Sequence, residues 1–266
     1  MKNVIVITGA GGMGYACAKR IGAGHQLLLA DYNATLLHDV AKDLSEKGYS
    51  VATQQLDVAD KAAVNAFAHK AASIGDIKCI IHTAGLSPTM ATPERIVEVD
   101  LIGTANMIDS FEQQPLDQTV GIFISSMSGY LARALTPEQQ KEILALPTNE
   151  LKNYILNLQL KDAGDAYSLC KKINQLQVAA AAAKWGQKGA RIMSISPGII
   201  STPMGQQEQA SNPMMDYMLE NTPVQRAGTP EDIAAVAEFI ASPSAGFLTG
   251  SDILVDGGVI SFLQHK

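Results

Sequence analysis

The chain has 266 residues, of which 47% are hydrophobic and 17% are charged, and its net charge is −6. A chain of this kind is expected to fold as one large α/β domain over residues 1–266, and its acidity argues against nucleic acid or an anionic membrane as a partner. No apolar run reaches the roughly 18 residues that a membrane span needs. Cys17, Cys79 and Cys170 lack paired or metal-ligand spacing, so we expect buried thiols, no metal and a cytoplasmic location.

A strand, a glycine loop and a helix open the chain. Residues 4–8 form a β-branched run that is typical of a buried parallel strand, and the glycine loop, residues 9–14, follows directly. Loops of this kind let backbone N–H groups approach a pyrophosphate at the N-terminus of the next helix. The residues predicted to make that contact are Gly9, Gly11, Gly12, Met13 and Gly14.

Asp31 ends the next apolar run, residues 26–30, where a dinucleotide-binding fold uses an acid to bind the ribose hydroxyls. A carboxylate at this position would repel a 2′-phosphate, and residues 8–18 contain no Lys or Arg that would attract one. The pattern therefore predicts NAD as the cofactor. The alternative interpretation is that Asp31 caps the helix predicted from residue 33 onwards.

Strands and helices then alternate along the chain. We predict strands at residues 49–56, 77–82, 120–125, 191–197 and 253–255, and helices at residues 60–73, 93–110 and 230–241. This order indicates a doubly wound parallel sheet with ligands at the carboxyl ends of its strands. The small or polar residues at those ends, beyond the glycine loop, are Asp31, Asp57, Ala84, Gly85, Ser125, Ser126, Pro197 and Gly198.

A long helix is predicted from residue 165, because no Pro or Gly follows until residue 186. Tyr167 and Lys171 lie four positions apart near its start, which places both on one face. An ammonium beside a phenol lowers the pKa of the phenol and suits it to proton transfer. Tyr15 and Lys19 repeat the same spacing, so the spacing alone does not identify a site.

Two segments have weaker patterns. Residues 130–163 predict a pair of short helices, the first capped by Thr136 with Pro137 at its first position. This helical insertion is a surface elaboration, a substrate lid or a subunit contact, and the sequence does not choose among them. Residues 199–221 are polar and rich in Met, and their methionines form either a pocket wall or ordinary packing.

Together these landmarks resemble the short-chain dehydrogenase/reductase superfamily over nearly the whole chain. The resemblance implies a single NAD(P)-binding Rossmann domain with a helical insertion before the catalytic Tyr. It implies an oxidoreductase that transfers a hydride between NAD and a secondary alcohol or ketone, apolar or cyclic, and that forms a homodimer or homotetramer. The matching motifs are Thr8-Gly9-x-x-Gly12-x-Gly14, Asp57-Val58, Ala84-Gly85, Ser125-Ser126-x-x-Gly129, Tyr167-x-x-x-Lys171, Pro197-Gly198 and Thr202.

The resemblance also implies roles for individual residues. Tyr167 would be the catalytic acid/base, Ser126 would hold the substrate oxygen, and Lys171 would lower the pKa of Tyr167 and bind the nicotinamide ribose. Tyr167 and Lys171 thereby count among the cofactor contacts as well. The further cofactor contacts are Asp57 and Val58 at the adenine, Ala84 and Gly85 along the middle, and Pro197, Gly198, Ile200 and Thr202 at the nicotinamide end.

The chain departs from the family pattern at several positions. The glycine loop is one residue shorter than usual, and we expect its pyrophosphate contact to survive. His82 and Thr83 replace two Asn whose amides brace the sheet, and His82 is expected to be a hydrogen-bonded core residue and not a catalyst. Asp100 stands in place of a fourth catalytic residue, an Asn; an ionised Asp cannot donate a hydrogen bond, which predicts an altered proton relay through Lys171.

The insertion is a departure shared with a few members, similar to bacterial 3α-hydroxysteroid or coniferyl-alcohol dehydrogenases. It lies where helices of the family pair between subunits, which favours a dimer over a tetramer. Two other functions stay open: a regulatory NAD(H)-sensing protein, and an epimerase or dehydratase that keeps NAD bound. The substrate is not identified, because the expected pocket walls, residues 86–90, the insertion and residues 204–218, match no motif.

Overall fold

The computed structural model describes residues 2–266, without the side chain of Ser211. Seven parallel strands form one sheet in the order β3-β2-β1-β4-β5-β6-β7. Because the strand order reverses between β1 and β4, a crevice opens at their carboxyl ends, and the predicted doubly wound α/β fold is confirmed. The strands are β1 (Lys2–Thr8), β2 (Gln26–Asp31), β3 (Ser50–Gln55), β4 (Gly75–His82), β5 (Val120–Ile124), β6 (Arg191–Pro197) and β7 (Asp252–Val255).

Helices cover both faces of the sheet. Helices α3, α5 and α9 pack on one face, and α1, α2 and α12 pack on the other. The helices are α1 (Gly12–Ile21), α2 (Ala34–Glu46), α3 (Lys61–Ile74), α4 (Pro93–Ile96), α5 (Gly103–Glu112), α6 (Ser128–Leu131), α7 (Pro137–Ala145), α8 (Thr148–Leu156), α9 (Ala163–Gln187), α10 (Pro203–Ser211), α11 (Pro213–Glu220), α12 (Pro230–Ala241) and α13 (Val259–Gln264), with a π-helical turn at Val97–Ile102 and a 3₁₀ turn at Pro243–Ala245.

Because helices cover both faces of the sheet, a central strand such as β1 contains an unbroken run of apolar residues. In β1, Val4 and Val6 face the core under α3, α5 and α9, while Ile5 and Ile7 face the core under α1 and α2. Alternate residues of a strand point to opposite faces, so a strand that is buried on both sides needs apolar residues at every position.

The helical insertion forms a third, separate core. Thr136 caps α7 with a reciprocal capping box through Gln139, as the sequence predicts for the start of this helix. Ile143 of α7 and Ile155 of α8 are buried against α9 and the π-helical turn. The insertion therefore packs as a layer on α9 and the π-helical turn.

Three segments differ from the sequence predictions. The single helix predicted at residues 93–110 is interrupted by the π-helical turn, which has one extra residue per turn. No Pro or Gly lies within the turn to indicate it in the sequence. Residues 199–221, weakly patterned in sequence, contain α10 and α11, and α13 follows the last strand. Among the described residues, no helix is both long and apolar enough to cross a membrane.

Candidate active site

The glycine loop forms a tight cradle at the carboxyl end of β1. Gly9 has a φ of 86°, and a Cβ on it would lie 2.5 Å from Thr83 Oγ1. A Cβ on Gly14 would lie 1.9 Å from the carbonyl oxygen of Gly9, so neither position accepts a larger residue. Gly11 caps α1 without a side chain, which leaves the first N–H groups of the helix, at Gly12 and Met13, for an anion. This backbone geometry fits the pyrophosphate of a dinucleotide.

Asp31 ties the end of β2 to the glycine loop. Its Oδ2 accepts a hydrogen bond of 2.7 Å from the N–H of Ala10, and its Oδ1 accepts one of 2.8 Å from the N–H of Asn33. Asn33, not Asp31, caps α2 with its side chain. The helix-cap interpretation of Asp31 is therefore wrong, and the carboxylate borders the crevice beside the loop.

Asp57 lies at the same edge and meets a cation that the sequence did not reveal. Arg95 Nη2 lies 2.7 Å from Asp57 Oδ2, and Arg95 Nη1 lies 3.0 Å from Glu98 Oε2. The Arg95 guanidinium also lies 6.0 Å from the ring centroid of Tyr32, the residue after Asp31. No local pattern marks the contact of Arg95 with Asp57, because the two residues lie 38 positions apart in the chain.

Val58 is buried, and both its side chain and its backbone carbonyl contact α5. Its side chain packs on α5, where a Cβ on Gly103 would lie 2.6 Å from Val58 Cγ2. Its carbonyl accepts a hydrogen bond of 3.0 Å from Asn106 Nδ2. These contacts hold the loop after β3 on α5 and so fix the position of Asp57.

Ser126, Tyr167 and Lys171 come together beyond the end of β5. The Ser126 hydroxyl lies close enough to Tyr167 to lower the pKa of the phenol, and Lys171 Nζ lies 5.3 Å from the centroid of the Tyr167 ring. Ser125 Oγ donates a 2.8 Å hydrogen bond to the carbonyl of Lys171, which holds α9 against the end of β5. A Cβ on Gly129 would lie 3.0 Å from the backbone N of Lys172, so Gly permits the close approach of α6 to α9.

Burial raises the pKa of Tyr167 above its usual value. Lys171 acts in the opposite direction, as the sequence predicted, and the hydrogen bond from Ser126 adds to that effect. The negative charges of Asp100 and Glu208 reinforce the rise and, with burial, outweigh Lys171. In the protein without a bound cofactor the phenol is therefore held in its protonated form.

Asp100 contacts Lys171 directly. Asp100 Oδ1 lies 3.4 Å from Lys171 Nζ and accepts a 3.0 Å hydrogen bond from the N–H of Leu86. The π-helical turn brings the Asp100 carbonyl to two further donors, Thr104 Oγ1 at 2.8 Å and Asn174 Nδ2 at 3.0 Å. π-Helical turns are frequent at functional sites, and here the turn fixes the position of Asp100 beside Lys171.

The middle and far side of the crevice are formed by close backbone contacts. A Cβ on Gly85 would lie 2.5 Å from Asp100 Oδ1 and 3.3 Å from Lys171 Nζ, so Gly85, with Ala84 before it, leaves room for both charged groups. On the other side, Thr202 Cγ2 would lie 3.2 Å from a Cβ on Gly12, which brings the loop after β6 onto the glycine loop.

The loop after β6 is held in place at both of its ends. The N–H of Gly198 donates a 2.9 Å hydrogen bond to the carbonyl of Val255, and a Cβ on Gly198 would lie 2.6 Å from Asp256 Cα. Pro197 pairs with Val255 in the sheet, and Ile200 bridges to Gly228. These contacts hold Pro197, Gly198 and Ile200 at the carboxyl edge of the sheet, beside the end of β7.

Residues 2–137 match the family model for short chain dehydrogenases, and residues 153–260 match the model described as enoyl-(acyl carrier protein) reductase. The chain is 36% identical to the short-chain dehydrogenase/reductase bsc3 of Alternaria brassicicola over 99% of this chain and 98% of that protein. The chain is a short-chain dehydrogenase/reductase. Members of this family bind a nicotinamide cofactor, NAD or NADP, and commonly form oligomers.

Other relatives agree with this assignment. This dehydrogenase/reductase is 29% identical to the galactitol 2-dehydrogenase (L-tagatose-forming) of Cereibacter sphaeroides over 95% of this chain and 92% of that protein. A short-chain type dehydrogenase/reductase from Mycobacterium ulcerans has the same fold, with a TM-score of 0.78 at 21% identity over 97% of this chain and 90% of that one. The protein is accordingly an oxidoreductase of this family.

His82 and Thr83 brace this dehydrogenase/reductase in place of the two amides of the family. His82 Nδ1 and Thr8 Oγ1 are 2.7 Å apart, and His82 Nε2 lies 3.2 Å from Thr104 Oγ1. Thr83 Oγ1 donates to the carbonyls of Thr8 and Gly9 at 3.1 and 2.9 Å. His82 is thus the hydrogen-bonded core residue that the sequence predicts, and hydroxyls and an imidazole take over the contacts between β1 and β4.

The upstream Tyr15–Lys19 pair lies outside the crevice. The Tyr15 hydroxyl donates a 2.6 Å hydrogen bond to Asp43 on α2, and Lys19 Nζ lies 3.4 Å from Glu231 on α12. These side chains join helices on one face of the sheet. The same four-residue spacing therefore serves a structural purpose on α1.

The sequence missed Glu208 on α10. Burial raises the pKa of this carboxyl, which Lys171 partly offsets and Asp100 reinforces, and Glu208 in turn acts on Tyr167. Met204 lies one turn earlier on the same helix and is 38% exposed. No signal identified Glu208, because its segment lacks both a family motif and a clear helical pattern.

Proposed function

We propose that this dehydrogenase/reductase transfers a hydride between NAD and a secondary alcohol or ketone, with Tyr167 as acid/base. The observation that carries the proposal is the grouping of Ser126, Tyr167 and Lys171 beyond the end of β5, with Lys171 Nζ 5.3 Å from the centroid of the Tyr167 ring and α9 held to β5 by Ser125. An alcohol carbon can lose a hydride only if its hydroxyl proton also leaves, and a phenolate within hydrogen-bonding reach can accept that proton.

Each residue of the group has one task in this mechanism. Ser126 hydrogen-bonds the substrate oxygen and holds it against the Tyr167 hydroxyl. Tyr167 donates a proton to that oxygen in reduction and accepts it in oxidation. Lys171 favours the phenolate and hydrogen-bonds the nicotinamide ribose. The bound nicotinamide supplies the hydride donor or acceptor, so the protein needs only to orient and polarise the substrate.

The cofactor would occupy the crevice from the glycine loop to the loop after β6. Helix N-termini favour phosphate binding. At the N-terminus of α1 the glycine cradle leaves the backbone N–H groups without a competing side chain. Asp31 would accept the ribose hydroxyls. The further contacts would come from Asp57 and Val58 at the adenine, Ala84 and Gly85 in the middle, and Pro197, Gly198, Ile200 and Thr202 at the nicotinamide.

We favour NAD over NADP because of the charges at the adenosine end. The Asp31 carboxylate would lie against a 2′-phosphate, and like charges repel. Arg95 is close by, but it is paired with both Asp57 and Glu98, which compensate its charge. Titration of NADH and NADPH, followed by nicotinamide fluorescence, should show tighter binding of NADH, and Asp31→Asn should narrow the difference. Equal affinities for both would contradict this proposal.

The substrate is proposed to be apolar or cyclic. Exposed methionines favour such a substrate: Met90 after β4 is 46% exposed, and Met214 on α11 is 53% exposed. Methionine side chains adapt to apolar ligands of irregular shape. The galactitol dehydrogenase among the relatives takes a polyol, so a panel should compare polyols with apolar cyclic ketones.

Substitution of Tyr167 by Phe tests the acid/base role. Tyr167→Phe should lower kcat by at least about 100-fold, because it removes the proton-transfer group, while NADH binding stays nearly unchanged. Tyr15→Phe is the matched control, since Tyr15 has the same spacing to a Lys but packs between α1 and α2, away from the crevice. This variant should retain activity. Undiminished turnover by Tyr167→Phe would refute the assignment.

A regulatory NAD(H)-sensing function is the second candidate. The direct pairing of Asp100 with Lys171 favours it, because it draws the ammonium charge away from Tyr167. Tight NADH binding together with no turnover on a broad panel of alcohols and carbonyl compounds would support sensing over catalysis.

The assembly is proposed to be a homodimer, with a homotetramer as the alternative. The insertion covers the outer side of α9 and of the π-helical turn, where the family resemblance implies helix pairing between subunits. A cytoplasmic location stays a prediction, and the three buried free cysteines support it.

A further inference from the structure

Asp100 and Lys171 form a buried ion pair inside the crevice. Asp100 is 0% exposed and Lys171 is 5% exposed, and their charged atoms lie 3.4 Å apart. The same oxygen, Asp100 Oδ1, also accepts a 3.0 Å hydrogen bond from the N–H of Leu86, and a Cβ on Gly85 would lie 2.5 Å from it. The second carboxylate oxygen, Oδ2, has no hydrogen-bond partner among the described residues.

Asp100 competes with Tyr167 for the charge of Lys171. The ammonium lies 3.4 Å from Asp100 Oδ1 and 5.3 Å from the centroid of the Tyr167 ring, so both groups lie within range of its charge. Attraction between opposite charges is strong in a buried site, where water does not screen it. An amide at position 100 would leave the full ammonium charge to favour the phenolate, whereas the carboxylate compensates that charge.

The other ionisable groups around Tyr167 and Lys171 do not restore the positive charge. Glu208, from α10, adds a second negative charge facing Tyr167. Cys170, beside Lys171 on α9, is a buried thiol whose pKa is raised by burial, so it stays neutral. Burial and the charge of Lys171 lower the pKa of His82 on β4 to about 3, so the imidazole is neutral at pH 7 as well.

We propose that Asp100, by pairing directly with Lys171, keeps Tyr167 protonated at neutral pH and so makes the site a proton donor for carbonyl reduction. The proposal rests on the proposed function of Tyr167. In reduction the carbonyl carbon receives a hydride from the reduced nicotinamide, and the oxygen receives the Tyr167 proton, which leaves a phenolate that regains its proton from water. Oxidation needs the phenolate first and is therefore limited at neutral pH by its small population.

Titration of the phenol without substrate or cofactor tests Asp100 as a positioning residue. The ultraviolet absorbance of phenolate is followed against pH in the wild type and in Asp100→Asn, each with and without Tyr167→Phe, so that the difference isolates Tyr167. The wild-type midpoint should lie above that of a free phenol, and Asp100→Asn should lower it by about one pH unit. Asp109→Asn, the same change on the exposed side of α5, should leave it unchanged.

Kinetics provides the second measurement. Asp100→Asn should move the alkaline rise of the oxidation rate to lower pH by the same interval, about one unit, and reduce the ratio of reductive to oxidative turnover at pH 7 by about tenfold. An unshifted phenol midpoint in a folded Asp100→Asn protein would overturn the proposal. If that variant does not fold, a wild-type midpoint at or below that of a free phenol would overturn it equally.

These outcomes are separate from a failure of the proposed function. Persisting activity in Tyr167→Phe would refute the acid/base role whatever the midpoint. A raised midpoint that Asp100→Asn lowers, in a protein that turns nothing over, would support the charge pairing and refute catalysis.

Discussion

His82 shows how a single residue can replace the chemistry of a family position. An amide bridges strands with one donor group and one acceptor, and a neutral imidazole has the same capacity through its two ring nitrogens. Thr8 and Thr104 lie at hydrogen-bonding distance from those nitrogens. Burial keeps the imidazole neutral, so the substitution introduces a dependence on pH.

The stability of the protein should therefore fall in mild acid. The folded His82 has a pKa of about 3 against an ordinary value of 6.5, so between these values the unfolded chain binds more protons. The free energy of unfolding should decrease as the pH drops through this window, by about 1.4 kcal/mol per pH unit from this group. Urea denaturation of the wild type and His82→Asn from about pH 7 to pH 5 measures the difference. Parallel curves for the two proteins would contradict the prediction.

At the scale of elements, the insertion acts as a packing layer that joins two sites. Its buried side chains cover α9, the helix that carries Tyr167 and Lys171. Lys152 of α8 lies 2.6 Å from Glu98, which also pairs with Arg95 near the adenosine end of the crevice. Hence the insertion contacts both the catalytic helix and the cofactor edge.

Truncation of the insertion core should destabilise the whole protein. Ile155 of α8 is 0% exposed in the core shared with α9, so Ile155→Ala removes buried methyl groups and should lower the free energy of unfolding by about 2–5 kcal/mol. Leu144→Ala is the control, because Leu144 of α7 is 40% exposed, and its effect should stay within about 0.5 kcal/mol. Denaturation curves measure both. A small effect of Ile155→Ala would mean that the insertion unfolds independently of α9.

At the scale of the whole molecule, the sheet with its two helical layers brings distant residues to one edge. The carboxyl ends of β1, β4, β5 and β6 are adjacent, so the glycine loop, Ser126 and the loop after β6 meet there. The insertion adds a cover on the outer side of this assembly, over α9 and the π-helical turn. The family resemblance implies that subunits pair through this same surface.

The protein should therefore associate as two chains and not four. The family resemblance implies that a tetramer needs a second pairing surface at this position, and the insertion packs over α9 and the π-helical turn there. Light scattering coupled to size-exclusion chromatography should give a mass of two chains. A mass of four chains would show that the insertion itself takes part in subunit pairing.

Local chemistry explains why much of the fold could be predicted. The glycine loop, the acid at the end of β2 and the alternation of apolar runs are short patterns, and the structure confirms the elements that they predict. The Tyr167–Lys171 pair is also local, since a four-residue spacing on a helix puts two side chains on one face. What distinguishes it from Tyr15 and Lys19 is the order of the strands, which the family resemblance supplied.

The sequence by itself determined the fold class and the glycine cradle, because each depends on neighbours within one or two turns or strands. Only the tertiary structure decided which charges meet. Arg95 reaches Asp57 across 38 positions, and Lys171 reaches Asp100 across 71. Such pairs depend on how the chain closes over long distances, and at position 100 on a π-helical turn that no pattern predicts. Hence the sequence placed Tyr167 and Lys171 on one helix face, and the tertiary structure decided their charge environment.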